Sequence, residues 1–466
     1  MRRLKLRLTT THHAQLRQHL LPGDGLESVA VALCGRRRGD LAHCLTVYKL
    51  EPIPYDECRL RTPDRITWST RRLLPLLEEA AKRDLAILKI HSHPGGYSQF
   101  STVDDESDAD LFSSIFGWTD SSFPHASAVM LPDGVMFGRG ILPDGTFCPL
   151  DSILVPGDDL CFWSGNSRAR LPGFVQRHAQ IFGAGTTQRL RELAVAVVGC
   201  SGTGSPLIEQ LARLGVGRFV LVDPDHVEDK NLNRILNASR EDAYLHRPKV
   251  EVMARAIARM GFGTEVEILA QDLATPAAVK AVAECDVVFG CMDGVEGRHL
   301  LNRLCTCYLI PYFDVGVGLD GDGKGGIDEA CGAVHYLKPD GASLLDRKLY
   351  TYDQLKAAGL RRTDPVAYRQ QVKAGYIRNV PEDRPAVISI NMQMASIAIN
   401  EFLARFHPYR HDDNADSAVV RMSFIQGHCY READGAASGT FASVLGRGDV
   451  RPLLSMPELS EPELQA

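Results

Sequence analysis

The sequence predicts two successive α/β domains in one chain. Its 466 residues exceed what a single hydrophobic core usually supports. Residues 1–150 read as a self-contained mixture of strands and helices, whereas from Leu193 onward short apolar strands alternate with amphipathic helices. That alternation is typical of a parallel sheet with helices on both faces. We therefore expect an α/β domain at 1–150, a connector at 151–174, a parallel-sheet domain at 175–430 with its core at 193–340, and a C-terminal tail at 431–466.

The composition is that of an ordinary soluble protein. Hydrophobic residues make up 44% and charged residues 24%, with a net charge of -6, which argues against disorder and against nucleic-acid binding. Arg36–Arg38 lie between glycines, so we expect a solvated hairpin tip there. No apolar stretch approaches the roughly 18–20 residues that span a bilayer, and the start lacks the apolar centre of a signal peptide. Twelve scattered cysteines suit a reducing compartment. We expect a cytoplasmic protein that contacts neither membranes nor nucleic acids.

Strand and helix signals follow one another closely in the first domain. Apolar patterning predicts helices at residues 13–20 and 69–83, and strands at 4–8, 29–33, 45–50, 85–90, 126–131 and 135–139. The strand at 85–90 ends abruptly in His91-Ser92-His93-Pro94, and a polar loop follows.

The second domain is predicted to alternate strand and helix. Strands are expected at 193–200, 218–225, 266–273 and 286–293, with helices at 206–215, 249–260, 276–285 and 297–309. A polar glycine-rich stretch at 319–329, a charged stretch at 347–383 and a helix at 388–406 come next. We expect the final residues to be extended and weakly ordered.

The His-Ser-His-Pro turn has residues suited to a catalytic metal. In an extended segment His91 and His93 project the same way, so both imidazoles can meet one ion, while Asp104 supplies a third ligand from the start of the next helix. Three protein ligands leave one position for water, whose pKa falls toward about 7 on zinc. Ser101 can donate a hydrogen bond to an oxyanion, and Glu27, at the entrance of a neighbouring strand, is our choice of base.

The segment HSHPGGYSQFSTVD matches without a gap the H-x-H-P-x6-S-x2-D signature of JAMM/MPN metalloproteases, which remove ubiquitin-like proteins from lysine amines. The resemblance covers about residues 1–150 and implies the MPN (JAB) α/β fold, Zn²⁺ on His91, His93 and Asp104, Glu27 as general acid/base and Ser101 at the oxyanion. The alternative is an MPN domain that keeps the fold without the metal. The acidic residues that follow Asp104 are expected to form a solvated helix start with no catalytic role: Asp105, Glu106, Asp108 and Asp110.

A glycine-rich loop joins a buried strand to a helix in the second domain. Gly199, Gly202 and Gly204 follow the strand, so backbone N–H groups and a helix N-terminus can approach a phosphate. Asp223, at the end of the next strand, suits the ribose of ATP, NAD or FAD equally well.

The polar segment after Asp223 favours ATP over the other nucleotides. Asn231, Arg234 and Lys249 suit a triphosphate, and a dehydrogenase needs no such cations there. Asp293 closes another apolar strand at the carboxyl edge of the sheet, where it could hold Mg²⁺ between phosphates. We therefore expect ATP and Mg²⁺ in this domain.

The segments VVGCSGTGS, LVDPDHVEDKNLNR, RPK and CMDG together resemble the ThiF-like adenylating domain shared by ubiquitin-activating enzymes and bacterial sulfur-carrier activators. The resemblance covers about residues 175–425 and implies a Rossmann-like parallel-sheet adenylation domain. It also implies that Gly199, Gly202 and Gly204 line the phosphates and that Asp223 binds the ribose. Asn231, Arg234 and Lys249 are implied to contact the triphosphate, and Asp293 to hold the Mg²⁺. Arg177, in RHAQIFG, resembles the arginine that the family lends across a dimer interface, so a homodimer through this domain is expected.

Two departures from the family pattern concern glycine and cysteine. Ser201 stands where the usual motif has another glycine, and residues 339–346 lack the first of the family's zinc-binding cysteine pairs. Residues 332–428 contain no cysteine at all, so no thioester-forming cysteine is assigned. Cys331 and Cys429 flank that gap and are expected to be structural, because nothing nearby in the sequence stabilises a thiolate. Adenylation with direct transfer to a partner's thiol or hydroxyl stays open.

Together these constellations predict a bifunctional enzyme of a bacterial ubiquitin-like modifier pathway. One half adenylates the C-terminal carboxylate of a small β-grasp protein, and the other hydrolyses ubiquitin-like peptide or isopeptide bonds; a conjugating-enzyme-like protein is a further expected partner. The alternative is activation and processing of a sulfur carrier for thiamine, molybdopterin or cysteine sulfur transfer. A scaffold of two inactive domains and a flavin or nicotinamide oxidoreductase are the remaining hypotheses.

Overall fold

The computed structural model describes residues 3–165, 170–374, 385–437 and 439–460. These residues divide into two compact units. The first comprises residues 3–165, Cys307–Leu309 and 444–460, and the second comprises the described residues of 170–306 and 310–443. None of the described helices is both long enough and apolar enough to cross a membrane.

The first unit has the mixed strand and helix order that the sequence predicts. Its helices are α1 (Thr10–Leu20), α2 (Leu73–Arg83) and α3 (Thr102–Thr119). Its strands are β1 (Arg3–Arg7), β2 (Val29–Arg38), β3 (Ala42–Pro52), β4 (Cys58–Thr62), β5 (Arg65–Trp68), β6 (Ala86–Ser92), β7 (His125–Met130), β8 (Met136–Ile141), β9 (Phe147–Pro149), β10 (Ser152–Pro156) and β11 (Leu160–Ser164). In the described part of this unit, β4 and β5 form a separate hairpin and the other strands form one sheet in the order β11-β10-β1-β3-β2-β6-β7-β8-β9.

Apolar side chains cover both faces of this sheet. Along β2, Ala30 and Ala32 belong to a core cluster with Leu16 of α1, whereas Val31 and Leu33 belong to a second cluster with residues of α2 and α3. Because successive strand residues point to opposite faces, β2 is buried on both sides. The neighbouring β6, which ends at the predicted metal ligands, is buried throughout.

The sheet continues past the predicted boundary at residue 150. Strand β10 pairs in parallel with β1 through Lys5 and Ser152, and β11 adds to β10 in antiparallel orientation. The segment 151–174, which we expected to be a connector, therefore supplies two strands of the described sheet. Residues 166–169 of that segment lie outside the described part.

The C-terminal segment 444–460 packs on the β2–β3 hairpin instead of forming a weakly ordered tail. The Thr46 hydroxyl donates to the Gly446 carbonyl over 2.8 Å, and the Arg38 amide donates to Asp449 Oδ2 over 3.0 Å. Leu454 and Leu459 are buried in the same unit. Residues 461–466 of the predicted tail lie outside the described part.

The prediction of a solvated hairpin tip at Arg36–Arg38 is wrong. The three arginines end β2, and Arg36 and Arg37 are only 2% and 6% exposed. The Arg36 guanidinium donates to the carbonyls of Leu85 and Pro124, which satisfies its donors inside the unit.

The second unit alternates strand and helix as expected. Its strands are β12 (Ala194–Val198), β13 (Arg218–Val222), β14 (Glu265–Leu269), β15 (Val287–Gly290), β16 (Tyr312–Gly321), β17 (Ile327–Leu337), β18 (Val419–Ser423) and β19 (His428–Glu432). Its helices are α4 (Gln176–Glu192), α5 (Gly204–Leu214), α6 (Arg240–Tyr244), α7 (Lys249–Met260), α8 (Pro276–Ala283), α9 (Val295–Tyr308), α10 (Tyr352–Thr363), α11 (Pro365–Lys373) and α12 (Ile388–Phe406). The helix predicted at 388–406 has those bounds.

The predicted Rossmann-like parallel sheet is confirmed, with an antiparallel extension. The order in the described part is β14-β13-β12-β15-β16-β17-β18-β19, parallel as far as β16 and antiparallel beyond it. The glycine-rich stretch at 319–329 forms the ends of β16 and β17, and the charged stretch contains α10 and α11. Residues 375–383 of the charged stretch lie outside the described part.

The strand order positions the predicted nucleotide residues. Strands β13 and β14 lie on one side of β12 in the sheet, and β15 and β16 lie on its other side, so the strand order reverses at β12. Ligands of such sheets bind at the carboxyl edge where the order reverses. The glycine loop follows β12 and Asp293 follows β15, so both predicted elements lie at that edge.

Candidate functional site

The register of β2 against β6 brings Glu27 to the predicted metal ligands. Val29 pairs with His91, and the Ser92 amide donates to the Ser28 carbonyl over 3.1 Å. Continuing this antiparallel register places Glu27 opposite His93. The Glu27 carboxylate and a ring nitrogen of each histidine lie within 4.8 Å of one another.

Asp104 is closer still to both histidines. Nε2 of His91 lies 2.9 Å from Oδ1 of Asp104, Nε2 of His93 lies 3.4 Å from Oδ2, and the two ring nitrogens are 3.1 Å apart. Ligand atoms of a tetrahedral zinc with bonds of about 2.0–2.1 Å are about 3.3 Å apart. The three side chains therefore have the spacing of ligands to one small ion.

A backbone contact fixes the orientation of His93. Its Nδ1 atom is 2.7 Å from the Tyr97 carbonyl, which can only accept a hydrogen bond. Nδ1 therefore carries a proton, and Nε2 faces His91 and Asp104. Metal-ligating histidines commonly have such an outer partner.

The start of α3 fixes Asp104. The Ser101 hydroxyl caps the helix by accepting from the Asp104 amide over 3.2 Å, and it donates to Asp104 Oδ2 over 2.7 Å. This is a capping box, a motif that satisfies otherwise unpaired helix N–H groups. The predicted oxyanion donor and the predicted ligand are thus brought together.

A buried ion cluster anchors α3 behind the site, and the sequence analysis missed it. Asp108, one turn after Asp104, is fully buried and accepts from Lys89 over 2.7 Å and from Arg139 over 2.8 Å. Arg139 also pairs with Asp105. The expectation of a solvated helix start is wrong for Asp108, because Lys89 lies on the same face of β6 as His91 and draws Asp108 into the interior.

The environment of the cluster gives its carboxylates opposite properties. Burial raises the pKa of Glu27 to about 7, so this carboxyl can take up and release a proton near neutral pH. Although burial opposes ionisation of Asp104, hydrogen bonds from His91 and His93 hold its pKa well below the usual range. One carboxyl is therefore suited to proton transfer and the other to permanent negative charge.

The glycine loop of the second unit requires glycine at two of its predicted positions. Gly199 has a φ of 96°, and a Cβ atom there would lie 2.5 Å from the Cys291 carbonyl oxygen. A Cβ atom at Gly204 would overlap the Gly199 carbonyl. Gly202 is less constrained and faces Arg234, whose Cδ would be 3.0 Å from an added Cβ. The loop and the Asn231–Arg234 segment therefore meet at this point.

The predicted ribose and triphosphate residues lie beside the loop. Asp223 is buried and accepts from the Cys200 amide over 2.6 Å and from the Asp225 amide over 2.9 Å. Burial raises the pKa of Asp223. Lys249 pairs with Asp225 over 2.7 Å, so its ammonium lies next to the Asp223 turn.

Asn231 and Arg234 are held by local contacts. The Asn231 side chain accepts from the Glu228 amide over 3.1 Å, and Arg234 donates to the Lys230 carbonyl over 2.7 Å. Asn231 ends the short helical turn Asp229–Asn231, and Arg234 follows three residues later, where it faces Gly202 of the glycine loop.

Asn391, at the start of α12, contacts the loop without having been predicted. Its Nδ2 donates to the Thr203 hydroxyl over 3.0 Å, while its buried Oδ1 has no partner among the described residues. Nothing in the sequence around 391 indicates this role, because the two segments are far apart in the chain.

Asp293 and Arg177 lie outside this group. Asp293 is exposed between β15 and α9 and lines a cavity of about 350 Å³ together with Arg298 and Cys331. Arg177 is exposed in the first turn of α4 and makes no hydrogen bond or ion pair to the glycine loop among the described residues. The structure of one chain therefore gives Arg177 no place in its own nucleotide loop.

Comparison with known proteins assigns the second unit. Residues 175–409 match the model of the ThiF family, about half of the chain. The chain belongs to the ThiF family. The recognition of a ThiF-like domain is thereby confirmed. Residues 9–132 match the model described as prokaryotic homologs of the JAB domain, so this ThiF-family protein carries an N-terminal JAB-type domain.

Relatives of this ThiF-family chain include curated enzymes. Adenylyltransferase and sulfurtransferase MOCS3 of Sus scrofa is 39% identical over 25% of this chain and 26% of its own length. Sulfur carrier protein ThiS adenylyltransferase of Escherichia coli is 34% identical over 27% of this chain and 49% of its own length. Ubiquitin-like modifier-activating enzyme 5 of Drosophila willistoni is 30% identical over 28% of this chain and 34% of its own length. The chain thus matches between about a quarter and a half of the length of these relatives.

A weak structural likeness accompanies these sequence relatives. The crystal structure of E. coli MccB has 17% sequence identity and a TM-score of 0.43, and the match covers 60% of this chain and 74% of that one. A likeness at this level does not bear on function.

Proposed function

We propose that the second unit adenylates the C-terminal carboxylate of a small β-grasp protein. The carboxylate attacks the α-phosphate of ATP, the acyl-adenylate forms, and pyrophosphate leaves. The observation that carries this proposal is the close packing of the glycine loop against the Asp223 turn and the Asn231–Arg234 segment, in a chain of the ThiF family. Loop amides and a helix N-terminus stabilise phosphate charge without moving.

Each predicted residue then has one task. Gly199, Gly202 and Gly204 admit the phosphates, Asp223 holds the ribose, and Asn231, Arg234 and Lys249 neutralise the triphosphate. Asp293 would hold the Mg²⁺ that bridges phosphate oxygens. Arg177 would act from the partner chain of a homodimer, which accounts for its exposed position in a single chain.

The test is ATP–pyrophosphate exchange in the presence of candidate carriers. We expect exchange with wild type and loss of exchange with Asp293→Ala. Asp353→Ala, an exposed aspartate in the first turn of α10, is the matched control and is expected to behave as wild type. Exchange that persists in Asp293→Ala contradicts the assigned role of Asp293. If none of the candidate carriers supports exchange, the proposed activity is contradicted.

For the first unit we propose zinc-dependent hydrolysis at the carboxy terminus of the same kind of protein. The supporting observation is the convergence of His91, His93 and Asp104 at ligand spacing beside Glu27, which has a pKa of about 7. A zinc ion on these side chains would polarise the scissile carbonyl and lower the pKa of a bound water. Glu27 would accept a proton at its carboxylate and return it to the leaving amine, and Ser101 would donate to the oxyanion.

Zinc content and peptide cleavage test this proposal separately. His91→Ala is expected to lose both, whereas Glu27→Gln is expected to keep zinc and lose hydrolysis of a fusion that extends the carrier beyond its terminal glycine. Glu106→Gln, an exposed residue of α3, is the matched control. A Glu27→Gln enzyme with full hydrolysis would remove Glu27 from the mechanism.

The relatives' names leave two settings for these activities. They include both ubiquitin-like modifier activation and sulfur-carrier adenylation. We favour the modifier pathway, in which a conjugating-enzyme-like protein would receive the activated chain and the JAB-type domain would trim or release it. A lysine-linked carrier product supports this setting, whereas a carrier thiocarboxylate supports sulfur transfer.

A further inference from the structure

The residue proposed as the base of the first unit follows an exposed loop. Residues 22–25 are exposed, Gly23 and Gly25 have φ values of 93° and 73°, and a Cβ atom added at either glycine would meet no atom within 4 Å. Because glycine has more backbone freedom than any other residue, this loop does not by itself define the position of the buried Glu27. Contacts from elsewhere in the unit must hold Glu27 opposite His93.

Strand β4 holds the backbone of Glu27. The Glu27 amide donates to the Thr62 carbonyl over 2.9 Å. Nε of Arg61 donates to the Glu27 carbonyl over 2.9 Å, and Nη2 of the same side chain donates to the Ser28 hydroxyl over 2.8 Å. Since the N–H groups of a guanidinium form a rigid planar fork, one side chain fixes two consecutive residues.

Ser28 connects this contact to the histidines. Its amide donates to the Ser92 hydroxyl over 3.0 Å, and its carbonyl accepts from the Ser92 amide over 3.1 Å. Ser92 lies between His91 and His93 in the chain, and both serines are fully buried. The Arg61 fork therefore fixes Glu27 relative to the two imidazoles.

The Arg61 guanidinium is itself held in place. Its Cζ lies 4.2 Å from the centroid of the Tyr55 ring, and Nη2 lies 3.0 Å from Oδ2 of Asp24. The Tyr55 hydroxyl donates to the His19 carbonyl over 2.7 Å, which fixes the ring in turn. Among the described residues Asp24 is the acidic partner of Arg61, so the guanidinium orients Glu27 without pairing with its carboxylate.

We propose that Arg61 is the positioning residue of the base in the first unit. By holding the carbonyl of Glu27 and the hydroxyl of Ser28, it sets the distance from the Glu27 carboxylate to His91 and His93. This inference rests on the proposed zinc-dependent hydrolysis. Within the described part of the chain, Arg61 makes no hydrogen bond or ion pair to the proposed zinc ligands, so it acts through Glu27.

A double-mutant cycle separates positioning from a purely structural role. Hydrolysis of a peptide that ends in Gly-Gly linked to 7-amino-4-methylcoumarin is measured for wild type, Arg61→Ala, Glu27→Gln and the double variant, together with the zinc content of each chain. We expect Arg61→Ala to keep its zinc and its KM and to lose about 100-fold in kcat, since a misplacement of about 1 Å costs on the order of 100-fold. In the Glu27→Gln background, loss of Arg61 should change the residual rate by less than about twofold, because residues that act as a unit are not additive.

Two further variants complete the experiment. Arg59→Ala, exposed on the same strand, is the matched control and should behave as wild type. Arg61→Lys keeps the positive charge beside Asp24 and guards against misfolding of Arg61→Ala. Because an ammonium lacks the planar fork, its kcat should lie between those of wild type and Arg61→Ala.

Three results would overturn the proposal. Wild-type kcat in both Arg61 variants shows that Glu27 needs no support from Arg61. An Arg61→Ala effect of equal size in both backgrounds gives Arg61 a role independent of Glu27, and loss of zinc from both Arg61 variants places its effect on the metal. Absence of hydrolysis by zinc-loaded wild type instead contradicts the proposed hydrolysis, and this inference with it, so the two failures are distinguishable.

Discussion

Nε2 of His91 lies 2.9 Å from Oδ1 of Asp104, although one residue ends a buried strand and the other lies in the first turn of the next helix. Burial disfavours protonation of His91, and hydrogen bonds from both histidines hold the pKa of Asp104 low. A carboxylate and two imidazoles packed at this distance form a preformed cation site.

Removal of one ligand should therefore abolish tight zinc binding. We expect Asp104→Ala to weaken zinc affinity by more than about 100-fold, since loss of outer-shell partners alone costs about 10- to 100-fold. Competition with a chromogenic chelator measures this. Asp110→Ala, exposed on α3, should bind zinc as wild type does. Equal affinities in the two variants would contradict the ligand assignment.

The ion cluster behind α3 should contribute to the stability of the first unit. Asp108→Asn leaves Lys89 and Arg139 buried without their shared carboxylate, and breaking a buried pair in this way costs about 3–5 kcal/mol. The free energy of unfolding is measured by urea titration, with hydrogen exchange of the amides in the first unit as the readout. A loss below about 1 kcal/mol, the range of a surface pair, would show that the cluster is not structural.

The glycine loop gives a matched pair of substitutions. Gly204→Ala places a Cβ on the Gly199 carbonyl, so the loop must shift; a shift of about 1 Å costs on the order of 100-fold in exchange rate. Gly185→Ala, in α4, meets no atom within 4 Å and should raise the free energy of unfolding by about 0.5–1 kcal/mol with normal exchange. Wild-type exchange in Gly204→Ala would contradict the proposed approach of the phosphates to this loop.

The stability of the second unit should decrease as the pH is lowered, because of His335. Burial, with Arg347, Arg421 and Arg298 nearby, lowers the pKa of His335 to about 3. A histidine whose folded pKa is depressed stabilises the fold fully above its unfolded pKa of about 6.5. That contribution is lost as the pH falls from 6.5 toward 3, at about 1.4 kcal/mol per pH unit. Between pH 6 and pH 4, the free energy of unfolding should therefore fall more steeply for wild type than for His335→Gln. Parallel pH profiles would show that His335 is solvated in solution.

Complementation tests the predicted role of Arg177. If each site takes Arg177 from the partner chain and Lys249 from its own, Arg177→Ala and Lys249→Ala chains are each inactive in exchange. Mixed and reassembled, they should recover about one quarter of wild-type activity, because half of the dimers are mixed and each has one complete site. No recovery, with mixed dimers present by native mass spectrometry, would place both residues in the same chain's site.

The sequence predicts residues that are close together along the chain better than residues that meet across it. His91, His93, Ser101 and Asp104 fall within one short segment, so their spacing alone indicates one site. Asp108 belongs to that segment too, but its partner Arg139 is 31 residues away, and no local pattern distinguishes it from the exposed acidic residues around it.

Two other differences have the same origin. Asn391 contacts Thr203 from 188 residues further along the chain. The boundary expected at residue 150 fails because Asp151 accepts from the Leu4 amide, 147 residues earlier, and draws β10 onto β1. Pairing of this kind depends on which edge of the sheet is open, and composition does not record it.

The central claim is that this chain activates a protein carboxy terminus, and pyrophosphate exchange tests it most directly. Each small β-grasp protein encoded nearby is offered intact and without its terminal glycine, to wild type and to Asp293→Ala. The account predicts exchange only for an intact carrier with wild type. Exchange independent of the terminal glycine, or absent for every intact carrier, would contradict the claim.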